Sequence, residues 1–322
     1  MIIKPLFTII IPVHNGSSTL KQTLNSIKKQ KKLDLIKSLI IVDDNSTDQS
    51  KKIITDFKNK NTNINIININ HSKSIGLARS FNEAIKKSKT KFIILAHQDI
   101  IIQNNSAILK LEEIISSNDN IFYIYPTVCH PKYIWKKYNF WQKCLFARYV
   151  DKKLPSPVEK FDCIDRQKFT NIGLFDEKHF RTAGEDLDII IKAKKEKLKY
   201  IHSDIKIIHL HNQDSNFSFK NLVKKEKQLA ETKGVLLRIY GPNIPNIKSF
   251  FREAILISLF IPYLNKIAII SLIIYIFGYN WRMYQFIIED KKVLLLPLIN
   301  FYLFLSNILA SAKAFLNKKQ LI

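Results

Sequence analysis

The chain has 322 residues, 46% hydrophobic and 24% charged, enough to bury a sizeable core and too apolar for a disordered protein. Its net charge is +24, but the excess lysine is spread over helical faces and loops. No basic stretch interleaved with aromatics marks a nucleic-acid site, so nucleic acid is excluded as a partner; an anionic membrane surface, where each nearby Lys or Arg is worth roughly 1 kcal/mol, is the expected one.

Met1 to Val13 has no signal-peptide pattern, so the amino-terminal part is expected in the cytoplasm. Cys129, Cys144 and Cys163 are isolated, which fits a reducing compartment. "FTIIIPV" (Phe7 to Val13) is a buried-strand run ended by "HNGSS". In "LKQTLNSIKKQ" Leu20, Leu24 and Ile27 recur with helical spacing. "IKSLIIV" is a second strand, and "DDNSTDQS" ends it and opens a helix. "NINIININ" (Asn63 to Asn70) alternates as a third strand, "SIGLARSFNEAIKKSK" is a helix, and "KFIILA" is a fourth strand. This alternation predicts an α/β fold with a mostly parallel sheet and crossover helices. In such sheets ligands bind beyond the carboxyl ends of strands, where "HN", "DDNS" and "HQD" all fall.

The stretch from Ile121 to Lys168 is aromatic and irregular and has no clear assignment; Trp135, Tyr138, Phe140 and Trp141 suit either stacking on an acceptor ring or a packed apolar face. A helix is predicted from about Glu185 and a strand near Ile205 to Leu210. From Phe250 the chain turns apolar. "VLLLPLINFYLFLSNILA" (Val293 to Ala310) carries no charge and is flanked by Lys291, Lys292 and Lys313. It is expected to associate with a membrane, spanning it or lying in the interface, against the alternative of helices packed on the rest of the chain.

Taken singly, the acids have plainer uses: Asp43 and Asp44 in Asx-turns, Asp99 as a helix cap, "GED" as a helix start, His209 as a core histidine. As an ordered set, "IIIPVHN", "IIVDDNSTDQS", "IGLARSFNEAI", "HQD", "IGLFDEKHF", "GEDLD" and "DIKIIHLH" resemble the family 2 glycosyltransferases. The resemblance runs from about Phe7 to Asn212. It implies a GT-A fold: a single doubly wound, mostly parallel sheet flanked by helices and binding a nucleotide-sugar. The expected division is a transferase domain over 1–225 and a helical, membrane-associated region over 226–322.

The resemblance also implies residue roles. Pro12, His14 and Asn15 are placed at the nucleobase and ribose, Asp44 at the base N–H with Asp43 beside it, and Asn82 on the nucleotide side. "HQD" replaces the family's Asp-x-Asp, so His97 and Gln98 stand at the donor and Asp99 keeps the metal position for Mn²⁺ or Mg²⁺; an imidazole at His97 favours Mn²⁺. His209 matches a histidine that reaches the metal or diphosphate. Asp186 is the expected catalytic base, with Glu185 adjacent, and its helix N-terminus is expected to favour the ionised form. The implied activity is inverting transfer to a glycan or lipid-linked acceptor at the cytoplasmic membrane face. The alternatives are a nucleotidyltransferase, for which "HNGSSTLKQ" is too poor in Gly and Arg, and a non-catalytic membrane- or polyanion-binding protein, which would not need both Asp99 and Asp186.

Overall fold

The computed structural model describes residues 5–155, 157–211, 216–243 and 250–317. Met1 to Lys4 and Asn212, at the end of the resembling region, lie outside them. The chain divides into two compact units, Met1–Pro131 with Asp151–Asp214, and Lys132–Val150 with Ser215–Ile322.

The first unit is built on a nine-stranded sheet. Its strands are β1 (Phe7–Val13), β2 (Ile36–Asp43), β3 (Ile66–Asn70), β4 (Phe92–Leu95), β5 (Ile100–Ile102), β6 (Ile121–Cys129), β7 (Lys153–Pro155), β8 (Asp162–Asp165) and β9 (Lys199–His209). The order is β3-β2-β1-β4-β8-β6-β9-β5, with β7 added to β6. The strands β3, β2, β1 and β4 are parallel neighbours, as the alternation predicted. β8 joins β4 antiparallel, and β9 runs parallel to β6.

Every residue of β1 is buried because both faces of the sheet are covered. Successive side chains of a strand point to opposite faces. Ile9, Ile11 and Val13 therefore pack with Leu20, Leu24 and Ile27 of α1 (Leu20–Lys28), Ile54 and Phe57 of α2 (Ser50–Lys60) and Ile108 and Leu111 of α4 (Ala107–Ser116). Ile10, between them, packs with Phe81 and Ile85 of α3 (Leu77–Lys87), Phe169 of α7 (Arg166–Asn171) and Ile189 of α8 (Glu185–Lys195). These opposed layers make the sheet doubly wound. The third strand starts at Ile66 rather than Asn63, and β9 is longer than the run read near Ile205. β6 was hidden by Pro126, where its pairing with β9 shifts register.

The second unit contains α5 (Lys132–Trp135), α6 (Phe140–Phe146), α9 (Phe219–Tyr240), α10 (Phe251–Ser258), α11 (Leu264–Gly278), α12 (Trp281–Ile287) and α13 (Leu296–Leu316). Trp135, Tyr138 and Phe140 are buried, so the packed-face reading of that aromatic run holds for them. α9 and α13 touch backbone to backbone at Gly234, where an added Cβ would lie 2.1 Å from the Ser311 carbonyl oxygen. A buried polar network ties the helices together: Arg148 donates to Glu226 (3.0 Å) and Tyr279 (2.6 Å), and Tyr279 donates to Glu226 (2.8 Å). The outer faces stay apolar and uncovered, with Phe260 82% and Tyr263 93% exposed. Leu264–Ile287 and Lys291–Leu316 are long and apolar enough to cross a membrane.

Candidate active site

The carboxyl ends of β1, β2 and β4 meet at one cleft of about 200 Å³, lined among others by Pro12, His14, Asp44, Ser74, His97, Gln98, Asp99 and Thr182. It lies where the strand order turns, β2 and β3 running to one side of β1 and β4 to the other.

Gln98 closes the β1 end of this cleft. It accepts from the His14 amide (2.9 Å) and donates back to the His14 carbonyl (3.1 Å), copying a strand pair with its side-chain amide. It lies so close over Gly16 that a Cβ there would meet its Oε1 at 2.4 Å. His14 Nδ1 lies 2.8 Å from the Asp44 carbonyl. Asn15, at a left-handed φ of 49°, accepts from the Thr47 amide (2.8 Å) and donates its own amide to the Ser46 hydroxyl (3.0 Å). Asp43 accepts from the Ser46 amide (3.2 Å) in an Asx-turn. Asn15 thus joins the loops after β1 and β2, Asp43 braces the β2 loop, and neither lines the cleft.

Asp44 uses both oxygens twice. Oδ1 accepts from the Ile75 amide (2.7 Å) and faces His71 Nδ1 (2.8 Å); Oδ2 accepts from the Ser74 hydroxyl (2.8 Å) and the Gly76 amide (2.9 Å). Burial alone would raise its carboxyl, but these four donors hold it below the usual value. With about four acceptor positions per carboxylate, all are taken by the 71–76 loop. In this structure Asp44, expected at the base N–H, anchors that loop. His71, which the sequence did not single out, also faces Glu83 (2.9 Å). Burial opposes its charge, yet the two carboxylates raise its pKa above the ordinary value.

Asn82 is not among the residues that line this cleft. Its amide donates to the Phe175 carbonyl (2.9 Å) and Glu177 (2.8 Å) and accepts from the Phe175 amide (3.2 Å). That splints α3 to the "GLFDE" loop and leaves the amide outside the cleft. The sequence showed a helix asparagine but no sign of its partner ninety-odd residues on.

At the β4 end, Lys160 donates to His97 Nδ1. Burial, then Lys160, hold the imidazole well below its ordinary pKa. Asp99 Oδ2 lies 3.1 Å from His209 Nε2. Its Oδ1 is buried with no hydrogen-bond partner among the described residues. An orphaned buried carboxylate oxygen beside an imidazole fits a divalent cation, because each supplies a lone pair and the cation removes the burial cost. His130 and His211 lie against His209 (ring centroids 5.6 and 3.7 Å). Burial first, then Lys160, push His130 down to about 4. His209 and His211 are likewise held well below the ordinary value, burial first.

Glu185 and Asp186 open α8 after Gly184, which sits at φ 94°. Burial raises the Asp186 carboxyl above its ordinary value, against the Leu187 amide and Lys160. Glu159 lies well above the usual value, through burial and then Asp186 and Glu185. Burial likewise raises Asp162 to about 7 although Tyr123 and the Val158 and Glu159 amides donate to it. Lys160 is the charge common to these acids and to the histidines. It sits in "VEKFD", a segment whose short spacing of two acids about one lysine gave no motif to read.

The profile of glycosyl transferase family 2 matches residues 8–173. Poly(ribitol-phosphate) β-N-acetylglucosaminyltransferase TarS of Staphylococcus aureus is 29% identical over 100 residues, 31% of this chain and 17% of that protein. Poly-β-1,6-N-acetyl-D-glucosamine synthase of Staphylococcus epidermidis is 27% identical over 104 residues, 32% of this chain and 24% of that one. The chain thus matches less than a quarter of each relative's length. Among solved structures, mannosyltransferase PcManGT of Pyrobaculum calidifontis, in complex with GDP-Man and Mn²⁺, superimposes with a TM-score of 0.59 at 14% identity, covering 99% of this chain and 89% of that one. That similarity concerns the fold, and it is a GT-A fold.

Proposed function

The chain belongs to glycosyl transferase family 2, and from that premise we propose that it is an inverting glycosyltransferase moving a sugar from a nucleotide-sugar to a hydroxyl of a glycan or lipid-linked acceptor. The names of its staphylococcal relatives direct the reading to cell-surface polysaccharide. The observation that carries it is the cleft at the turn of the strand order, which is lined by Asp99, a carboxylate whose buried Oδ1 has no hydrogen-bond partner among the described residues.

In this reading the 1–225 segment carries the chemistry. Pro12, His14 and the Ser74–Gly76 wall held by Asp44 receive the nucleoside, and Gln98 fixes the β1 rim against it. Asp186 takes the proton of the acceptor hydroxyl as the oxygen attacks the anomeric carbon from the face opposite the leaving diphosphate, so configuration inverts. Its raised pKa makes it a stronger base near neutrality than an ordinary aspartate. Glu185 is its neighbour, and helical geometry turns the two side chains about 100° apart. Lys160 adds positive charge between the donor end and the acids. Asp99 and His209 would hold Mn²⁺ or Mg²⁺, which when bound neutralises charge developing on the diphosphate. The 226–322 region, with its uncovered apolar helices and the lysines beside them, would hold the enzyme at the cytoplasmic face of an anionic membrane.

Calorimetric titration with UDP, GDP and other nucleoside diphosphates, with and without Mn²⁺, tests the reading. One nucleotide should bind in a divalent-dependent manner, and Asp99→Ala should weaken that binding at least tenfold without loss of fold. An unchanged affinity in Asp99→Ala would remove the site assignment; failure of every nucleoside diphosphate to bind would remove the donor class.

A further inference from the structure

β6 and β9 are parallel neighbours with Cys129 opposite Ile208, so the next residue of each strand, His130 and His209, emerges side by side. Two residues on, His211 turns back through a left-handed φ of 54° and stacks on His130 (ring centroids 5.2 Å, 21° between planes). His211 Nε2 lies 3.2 Å from His130 Nδ1. The three imidazoles present ligand nitrogens that all lie within 4.8 Å of one another. Asp99 joins them through His209 and keeps one buried oxygen without a hydrogen bond among the described residues.

We propose that His130, His209 and His211, with Asp99, bind one borderline transition-metal ion of the Zn²⁺ or Co²⁺ class in preference to Mg²⁺. The inference rests on the glycosyltransferase reading only where that reading places a divalent cation at Asp99; it adds His130 and His211 and specifies the cation. Imidazole donors suit Zn²⁺ and its neighbours, whereas Mg²⁺ takes oxygen ligands and keeps its waters. Three imidazoles and one carboxylate make a four-ligand set of the kind Zn²⁺ accepts. Lone histidines on a strand are ordinarily separate core residues. Here register and a left-handed turn bring three of them together, and one of the three, His209, meets Asp99. The sequence showed "HLH" and "CHP" as unrelated pieces about eighty residues apart.

The test is metal titration of the full-length protein in detergent with Zn²⁺ alone, Co²⁺ alone and Mg²⁺ alone, by calorimetry, with Co²⁺ also followed by its visible spectrum. One equivalent of Zn²⁺ and of Co²⁺ should bind at least 100-fold more tightly than Mg²⁺, and Co²⁺ should show the intense absorption of a four-coordinate ion. His130→Asn and His211→Asn should each weaken Zn²⁺ and Co²⁺ at least tenfold, with circular dichroism unchanged. His202→Asn, which changes a histidine outside the cluster, controls for nonspecific histidine binding and should leave affinity intact. Zn²⁺ affinity that survives both cluster variants, or a weak Co²⁺ spectrum of an octahedral ion, overturns the proposal. Nucleoside diphosphate binding, measured separately with Mg²⁺ or Mn²⁺, reports on the donor reading: its loss with intact Zn²⁺ binding sinks that reading and leaves the metal proposal standing.

Discussion

Asp44→Asn tests whether this carboxylate is an anchor for the 71–76 loop. The substitution keeps the size of the side chain and removes one acceptor oxygen and the charge. Whichever oxygen is replaced, two of the four donors now face an amide N–H₂: either Ile75 and His71, or Ser74 and Gly76. A hydrogen bond to a charged acceptor is worth about 1.5–3 kcal/mol net, so two lost bonds amount to roughly 3–6 kcal/mol if the loop stays shut. Opening to water relieves part of this, and about 3 kcal/mol of local destabilisation is the expected result. At about 1.4 kcal/mol per tenfold, the Ile75 and Gly76 amides should exchange with solvent on the order of 100-fold faster. Exchange mass spectrometry of the peptide over 71–80 measures this, with β1 as an internal control that should not change. Because the folded His71 pKa is raised, its contribution is full below about 6.5, the unfolded value, and is lost as pH rises through the folded value. Wild-type loop protection should fall over that window, and the variant should show less of this fall. Exchange within threefold of wild type would refute the anchor role and return Asp44 to the base contact implied by the family.

Two further outcomes follow from the geometry. Because burial raises Asp186, the acid limb of kcat/KM should lie above about 4, the ordinary aspartate range, and Asp186→Asn should cut turnover by about 10²- to 10⁴-fold with donor affinity kept; an acid limb in the ordinary range means another group is the base. The exposed apolar faces of the carboxy-terminal helices should keep the full-length protein with membranes through a molar-salt wash, which screens charges beyond about 3 Å; release by salt would show that the lysines alone hold it.

The parallel half of the sheet was legible because β1, β2 and β4 are continuous isoleucine-rich runs buried on both faces, while β3 alternates with one face exposed. The antiparallel half was not, because Pro126 interrupts β6, and β8 is only "DCID", four residues with an acid at each end. The positions of His14, Asp44, Gln98 and Asp99 at one cleft could be placed from strand ends alone. What each does there depended on partners far along the chain: Ser74 to Gly76 for Asp44, Phe175 and Glu177 for Asn82, Lys160 for His97. No local pattern encodes such pairings. Asp186 illustrates a different gap: helix position is one contribution to its electrostatics, and burial, which raises its carboxyl, is another that the sequence does not display.

Gln98 and Asp99 are consecutive, and this adjacency has a thermodynamic consequence. One side chain latches the loop after β1, and the next faces His209 through Oδ2 while its Oδ1 has no hydrogen-bond partner among the described residues, with a single peptide unit between them. A ligand that holds the latch in place also holds the neighbouring carboxylate, so an occupant at either end of the cleft favours one at the other. By linkage the help is mutual and equal in size. A Gln98→Ala chain, with the latch gone, would bind each partner more independently of the other.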